Sequence, residues 1–210
     1  MEDQMKMNTR IFLYLCTIIA FLTATGIPAI AQEDFVRAKI GVLIKSGDKA
    51  IHSKSKDKLK AGDMVRVYVH PEKNDHVYIV HTDSETATLL NSDQKKAEGA
   101  TLILPSVQGF YEVDGNSSVE NITIICSPED IKEVSDLLKS GEAPLSKWKA
   151  LEEKLYEKSK IDLTSKAEKP FTIAGNVRGG SGAGDPFLKK LRIYTGKSLL
   201  VKRYEFRVKK

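Results

Sequence analysis

Apolar residues recur at every second position through most of this chain and at helical spacing only in its last third. Val36, Ile40, Val42 and Ile44 take even positions over residues 35–44, the period of a half-buried strand. Residues 45–60 are rich in lysine and serine and read as a polar loop. After Ala61-Gly62-Asp63, Val65, Val67 and Val69 alternate with Met64, Arg66 and Tyr68, predicting a second strand that Pro71 ends. Residues 76–82 predict a third. Glu72-Lys73-Asn74-Asp75 between them has turn chemistry, so these two strands are expected to pair as a hairpin. Short strands follow at 87–90, 101–104, 109–113 and 120–126, with turn residues between them.

Helical periodicity begins after Cys126. Ser127-Pro128-Glu129-Asp130 offers a cap, a first-turn proline and acids at the positive end of a helix, and Ile131, Val134, Leu137 and Leu138 then share a face up to Gly141. A second helix starts near Ser146 with Trp148, Leu151 and Leu155 or Tyr156 on its apolar side. Residues 158–169 read as a polar linker or loosely packed strand. Residues 199–208 predict a closing strand with Tyr204, Phe206 and Val208 facing in and Arg203, Glu205 and Arg207 facing out. The fold class implied is mainly β: an antiparallel β-sandwich or barrel-like domain with two peripheral helices after the main strand region.

The N-terminus adds an address. Lys6 and Arg10 precede an apolar run over 11–22, and Ala29-Ile30-Ala31 supplies the small residues of a peptidase site, so residues 1–31 are expected to be a cleavable signal peptide with Gln32 as the mature N-terminus. The run is short for a membrane span, and Thr25, Gly26 and Pro28 follow it rather than a basic cluster. The alternative is a retained anchor. Cys16 lies within the run behind Leu15, which does not suit lipid attachment. Its loss would leave Cys126 as the one cysteine and exclude an intramolecular disulfide. The expected location is periplasmic or secreted. The mature chain divides into an N-terminal strand and basic loop (32–58), a β-rich segment (59–138), and a helical, glycine-rich and basic part (139–210) packed on the same domain.

Composition, with 41% hydrophobic and 29% charged residues, fits a chain long enough to bury a core. The net charge of +5 is uneven. From Lys189 onward, Lys189, Lys190, Arg192, Lys197, Lys202, Arg203, Arg207, Lys209 and Lys210 face Glu205 alone. Arg203, Arg207, Lys209 and Lys210 are therefore the expected contact for an anionic glycan, a lipid surface or an acidic envelope protein, and export argues against nucleic acid.

Segment 59–138 resembles an exported bacterial family, domain of unknown function 4384. The resemblance rests on Ala61-Gly62-Asp63 before a Val-rich strand, Val77-Tyr78-Ile79-Val80, Leu89-Leu90-Asn91, Leu104-Pro105, Phe110, Asp114-Gly115 and Glu120-Asn121-Ile122-Thr123-Ile124-Ile125. The turn at Asp83-Ser84-Glu85-Thr86 departs from the glycine turn frequent in that family. The resemblance implies a compact β-rich module of cell-envelope proteins with no established active site.

Other candidate chemistry is thin. His70, His76 and His81 crowd the expected hairpin beside Asp75 and Asp83, but strand alternation sends His76 and His81 to opposite faces, so no metal is assigned. Cys126 continues the apolar side of Ile122 and Ile124 and is expected to be core rather than nucleophile. The glycine run over 178–184 and Gly196-Lys197-Ser198 do not form one phosphate loop, because Leu191 stands where its first glycine belongs. No cofactor is expected. Three functions are in play: a non-catalytic exported domain that binds or scaffolds an envelope partner; an envelope hydrolase or transferase with a spatially assembled site; and a glycan-binding module, since residues 59–67 resemble the strand opening of bacterial SH3 domains.

Overall fold

The computed structural model describes residues 35–73, 75–91, 100–161 and 185–209. The expected signal peptide, the glycine run over 178–184 and Lys210 lie outside these residues.

Two six-stranded sheets face each other. The first is built on β1 (Val36–Ser46) and β4 (Met64–Pro71), paired antiparallel from Ala38 opposite Pro71 to Lys45 opposite Met64. Each outer position beside this pair is shared by two short strands. β2 (Lys49–His52) and β11 (Arg192–Gly196) divide the free edge of β1, and β7 (Leu102–Leu104) and β8 (Tyr111–Glu112) divide that of β4. The second sheet runs β10 (Glu142–Pro144), β6 (Thr86–Leu89), β5 (His76–Thr82), β9 (Val119–Ser127), β12 (Leu200–Lys209) and β3 (Lys56–Lys60). The mainly β, sandwich-like architecture follows the hydrophobic pattern. One pair departs from it: β3 runs parallel to β12.

The expected hairpin does not form. Both strands lie where their patterns place them, but β4 belongs to the first sheet and β5 to the second, so the chain changes layers between Pro71 and His76. The reason lies in the apolar content of both strands. Val65 through Val69 and Val77 through Val80 are buried at every position, so each strand needs cover on both faces and takes the centre of its own sheet rather than a shared ribbon. Asp75, 2% exposed, is carried inside at the crossing, where burial raises its carboxyl above the ordinary range.

The inner faces meet in a core that includes Ile40, Val42, Val67, Val69, Val77, Ile79, Ile124 and Phe206. Helices cover the outer face of the second sheet: α1 (Lys132–Leu137) and α2 (Leu145–Ser159) set Val134, Trp148 and Leu155 against Tyr78, Val80 and Ile125. Ser127 does not cap α1 but ends β9, buried. Asp130 instead accepts hydrogen bonds from Tyr78 Oη at 2.6 Å and Ser135 Oγ at 2.7 Å. Over the first sheet lies a 3-10 turn, Pro186–Lys190, whose Phe187 packs on Tyr68 and His52. Gly41 permits that approach, since a Cβ there would sit 2.7 Å from Leu191 Cδ2. Arg66 is buried in the same layer, donating from Nε to Gly109 O at 2.8 Å, stacked 3.8 Å from the Phe110 ring centre and 3.5 Å from Asp185 Oδ2. Tyr68 donates its hydroxyl to Asp185; burial, then this bond, pushes its pKa up to about 12.

Val67 and Ile124 are fully enclosed in the inner core. Replacing either with Asp is expected to cost more than about 3 kcal/mol by placing an unpaired charge there. Trp148, the chain's single tryptophan, gives the readout: the denaturant midpoint followed by its fluorescence should fall sharply in both variants.

Candidate functional site

β12 carries the expected basic site, and its neighbours divide that site in two. Leu200, Tyr204, Phe206 and Val208 point into the inner core, as alternation requires, which turns Arg203, Glu205, Arg207 and Lys209 outward. Arg203 does not reach solvent as a free cation. α2 crosses it, and its guanidinium lies 3.2 Å from Glu152 Oε1, 2.9 Å from Glu153 Oε2 and 4.0 Å from the Tyr156 ring centre. Glu152 also accepts from Thr123 Oγ1 at 2.5 Å, so Arg203 belongs to the seam that fastens helix to sheet. Lys202, on the other face, covers the Tyr194 and Tyr204 rings and donates to Ser55 Oγ; burial, then Arg192, lowers its pKa.

Arg207 and Lys209 lie beyond the helix and are exposed. They are joined by residues that sequence reasoning missed. The parallel register sets Lys56 beside Glu205, Lys58 beside Arg207 and Lys60 beside Lys209. Leu59, opposite Val208, is buried with it, so all three lysines share the outward face. Five cations and one acid thus form a two-strand ladder at the sheet edge, with cations along each strand spaced about 7 Å apart, two residue rises. The signal was there in the alternation Lys56-Asp57-Lys58-Leu59-Lys60, but a single apolar residue is too little to predict a strand.

A cavity of about 240 Å³ opens between the sheets on the inner side of these strands. Its floor is apolar: Leu59, Val65, Leu90, Val113, Ile122 and Phe206. Tyr111 forms a wall, and the more exposed lining carries Asp83, Glu112, Asp114, Glu120 and His81. His81 Nε2 lies 3.3 Å from Glu120 Oε2. Asp83 accepts from Glu85 N, Thr86 N and Thr86 Oγ1; although burial opposes it, these bonds hold its carboxyl below the usual range. Asp114 accepts from Asn116 N and Nδ2 at 2.8 and 2.7 Å. Ser117 Oγ, also on the lining, donates to Val119 O at 2.9 Å.

The remaining candidates are dispersed. His70 Nδ1 lies 2.9 Å from Thr101 Oγ1 on the first sheet, while His76 and His81 belong to the second. His52 stacks on Phe187. Cys126 is fully enclosed in the inner core, and burial, then Asp75, pushes its thiol far above the ordinary value. No protein-family model, curated protein or solved structure matches this chain.

A thiol so placed should resist labelling. With a water-soluble disulfide reagent, Cys126 in the folded mature chain is expected to react slowly, at the rate of unfolding, and to react at once in concentrated guanidinium; prompt stoichiometric labelling of the folded protein would contradict its burial.

Proposed function

We propose that this chain is an exported, non-catalytic cell-envelope domain that holds a linear anionic polymer along the β3–β12 edge. The observation that carries the reading is the parallel register that brings Lys56, Lys58 and Lys60 beside Arg207 and Lys209. Cations repeated along two adjacent strands match a chain of regularly spaced carboxylates or phosphates better than one small anion. Lys210 follows directly in sequence and would extend the same charge. Export is supported by Lys6, Arg10, the apolar run and Ala29-Ile30-Ala31, and an envelope role by the resemblance of residues 59–138 to the exported family. Among the described residues no helix is long and apolar enough to cross a membrane.

A second reading, an envelope hydrolase or transferase, has one observation in its favour: the His81–Glu120 pair in the cavity is a polarised imidazole. Ser117, the buried serine nearby, already spends its hydroxyl on Val119 O. Ester or amide turnover that disappears in His81→Ala would favour this reading.

Two measurements address the proposal. Intact mass of exported material should place the N-terminus at Gln32; a full-length cytoplasmic product alone would reject export. On an immobilised linear polyanion, with neutral dextran as control, wild type should be retained and released as salt rises, since exposed charges are screened over about 8 Å at physiological ionic strength. Lys58→Glu with Arg207→Glu should elute at much lower salt with an unchanged circular dichroism spectrum. Arg203→Ala should behave oppositely, keeping retention while losing about 1 kcal/mol of stability, the scale of partly exposed ion pairs and a cation–π contact. Equal retention of wild type and the double variant at every salt concentration would make the ladder a solvated face only.

A further inference from the structure

We infer that the polymer held at the β3–β12 edge is an acidic polypeptide, which adds to the open side of β3 as one more strand. This inference rests on the reading of the ladder as a polyanion site and narrows it to one chemical class.

The second sheet ends at β3, and among the described residues no strand pairs with its far side. The direction of its backbone groups follows from one bond. Glu205 N donates to Ser55 O at 2.9 Å, and successive residues of a strand bond to opposite sides. Ser55, Asp57 and Leu59 therefore turn their backbone groups to β12, and Lys56, Lys58 and Lys60 turn theirs to the open side. Lys60 agrees: its N–H donates to Asp63 Oδ2 at 2.9 Å and its carbonyl accepts from Asp63 N at 3.0 Å, neither bond reaching β12. That turn closes one end of the edge. Lys56 and Lys58 remain, and together they offer a further strand two N–H donors and two carbonyl acceptors.

The side chains select the occupant. Lys56, Lys58 and Lys60 are exposed on the outward face. A strand laid about 4.8 Å from β3 carries its own outward side chains past them at the same repeat of about 7 Å. Acids at every second residue would then stand directly across from the three lysines, with Arg207 and Lys209 one strand farther and only Glu205, level with Lys56, opposing them. A polysaccharide or polyphosphate would meet the same charges but has no donors and acceptors at strand spacing, so it would leave the backbone of Lys56 and Lys58 to water. A second copy of β3 is disfavoured, because its lysines would face these.

Three probes test the inference on the mature protein at low salt: an acetylated and amidated heptapeptide, Thr-Glu-Val-Glu-Val-Glu-Thr; the same peptide N-methylated at its three central amides; and trigalacturonate, which carries as many carboxylates. The plain peptide should give saturable amide shifts centred on β3 and slow hydrogen exchange at the Lys56 and Lys58 amides by at least about tenfold in the saturated complex. N-methylation should weaken binding by at least about tenfold, the scale of one or two lost backbone hydrogen bonds, and trigalacturonate should bind more weakly still and protect neither amide. Lys58→Pro removes one N–H on the open side and leaves the bonds to β12 in place. It should lose the peptide, yet elute from the polyanion column at the same salt as Lys58→Ala, which should keep measurable peptide binding. Equal affinity of the two peptides, equal affinity of trigalacturonate, unprotected Lys56 and Lys58 amides, Lys58→Pro binding the peptide as Lys58→Ala does, or no saturable binding of the peptide would each overturn the inference. Retention of the wild type on the polyanion column in any of those cases would leave the ladder standing as a site for a different polyanion, and loss of retention as well would remove both.

Discussion

Everything in this domain answers to one demand: its two central strands, β4 and β5, are buried on both faces. A sheet with one wet face needs a single partner layer, but these strands need two. The inner faces satisfy each other, and the outer faces recruit separate covers, Trp148 and Leu155 from α2 over one sheet and Phe187 over the other. Cover of this kind carries polar groups inward, and the two arginines among them are matched by specific partners. Arg66 finds Gly109, Phe110 and Asp185, and Arg203 finds Glu152, Glu153 and Tyr156. The structure thus uses guanidinium groups, which combine flat stacking with several donors, as fasteners between layers.

Strand positions and their inward residues were legible because period-two alternation is a local property. β1, β4, β5, β9 and β12 lie within a residue or two of their expected limits, and Tyr204, Phe206 and Val208 face the core as their spacing requires. Pairing was not legible. Glu72-Lys73-Asn74-Asp75 suits a hairpin turn equally well as a crossing between layers, and the choice depends on what else can cover Val65 to Val69. β2, β3 and β11 were missed for a related reason: short and largely exposed, they are held as strands by the backbone hydrogen bonds that β1 and β12 offer. Ser127 shows the same competition, its capping chemistry losing to one more rung of the ladder opposite His76.

Charge was readable as a quantity but not as an arrangement. The cation-rich C-terminal stretch was plain in the sequence, yet Arg203 is spent on holding a helix while Arg207, four residues later, is exposed. What separates them is the end of α2, which no property of β12 reveals. The residues that line the cavity come from turns and strands distant in sequence, among them Asp83, Tyr111 and Glu120, and meet only in the folded chain.

The placement of β12 also governs how the domain can be assembled. This strand lies between β9 and β3, and β11, just before it, completes the edge of β1. Both sheets therefore wait for residues 192–209. Until these arrive, β3 has no strand to pair with, β9 keeps an open apolar edge, and the inner core lacks Tyr204, Phe206 and Val208. Pairings between segments so far apart in sequence form slowly, because the intervening loop must close before any contact rewards it. The closing strand thus acts as a latch: until it docks, neither sheet is complete, and its docking commits the whole sandwich at once.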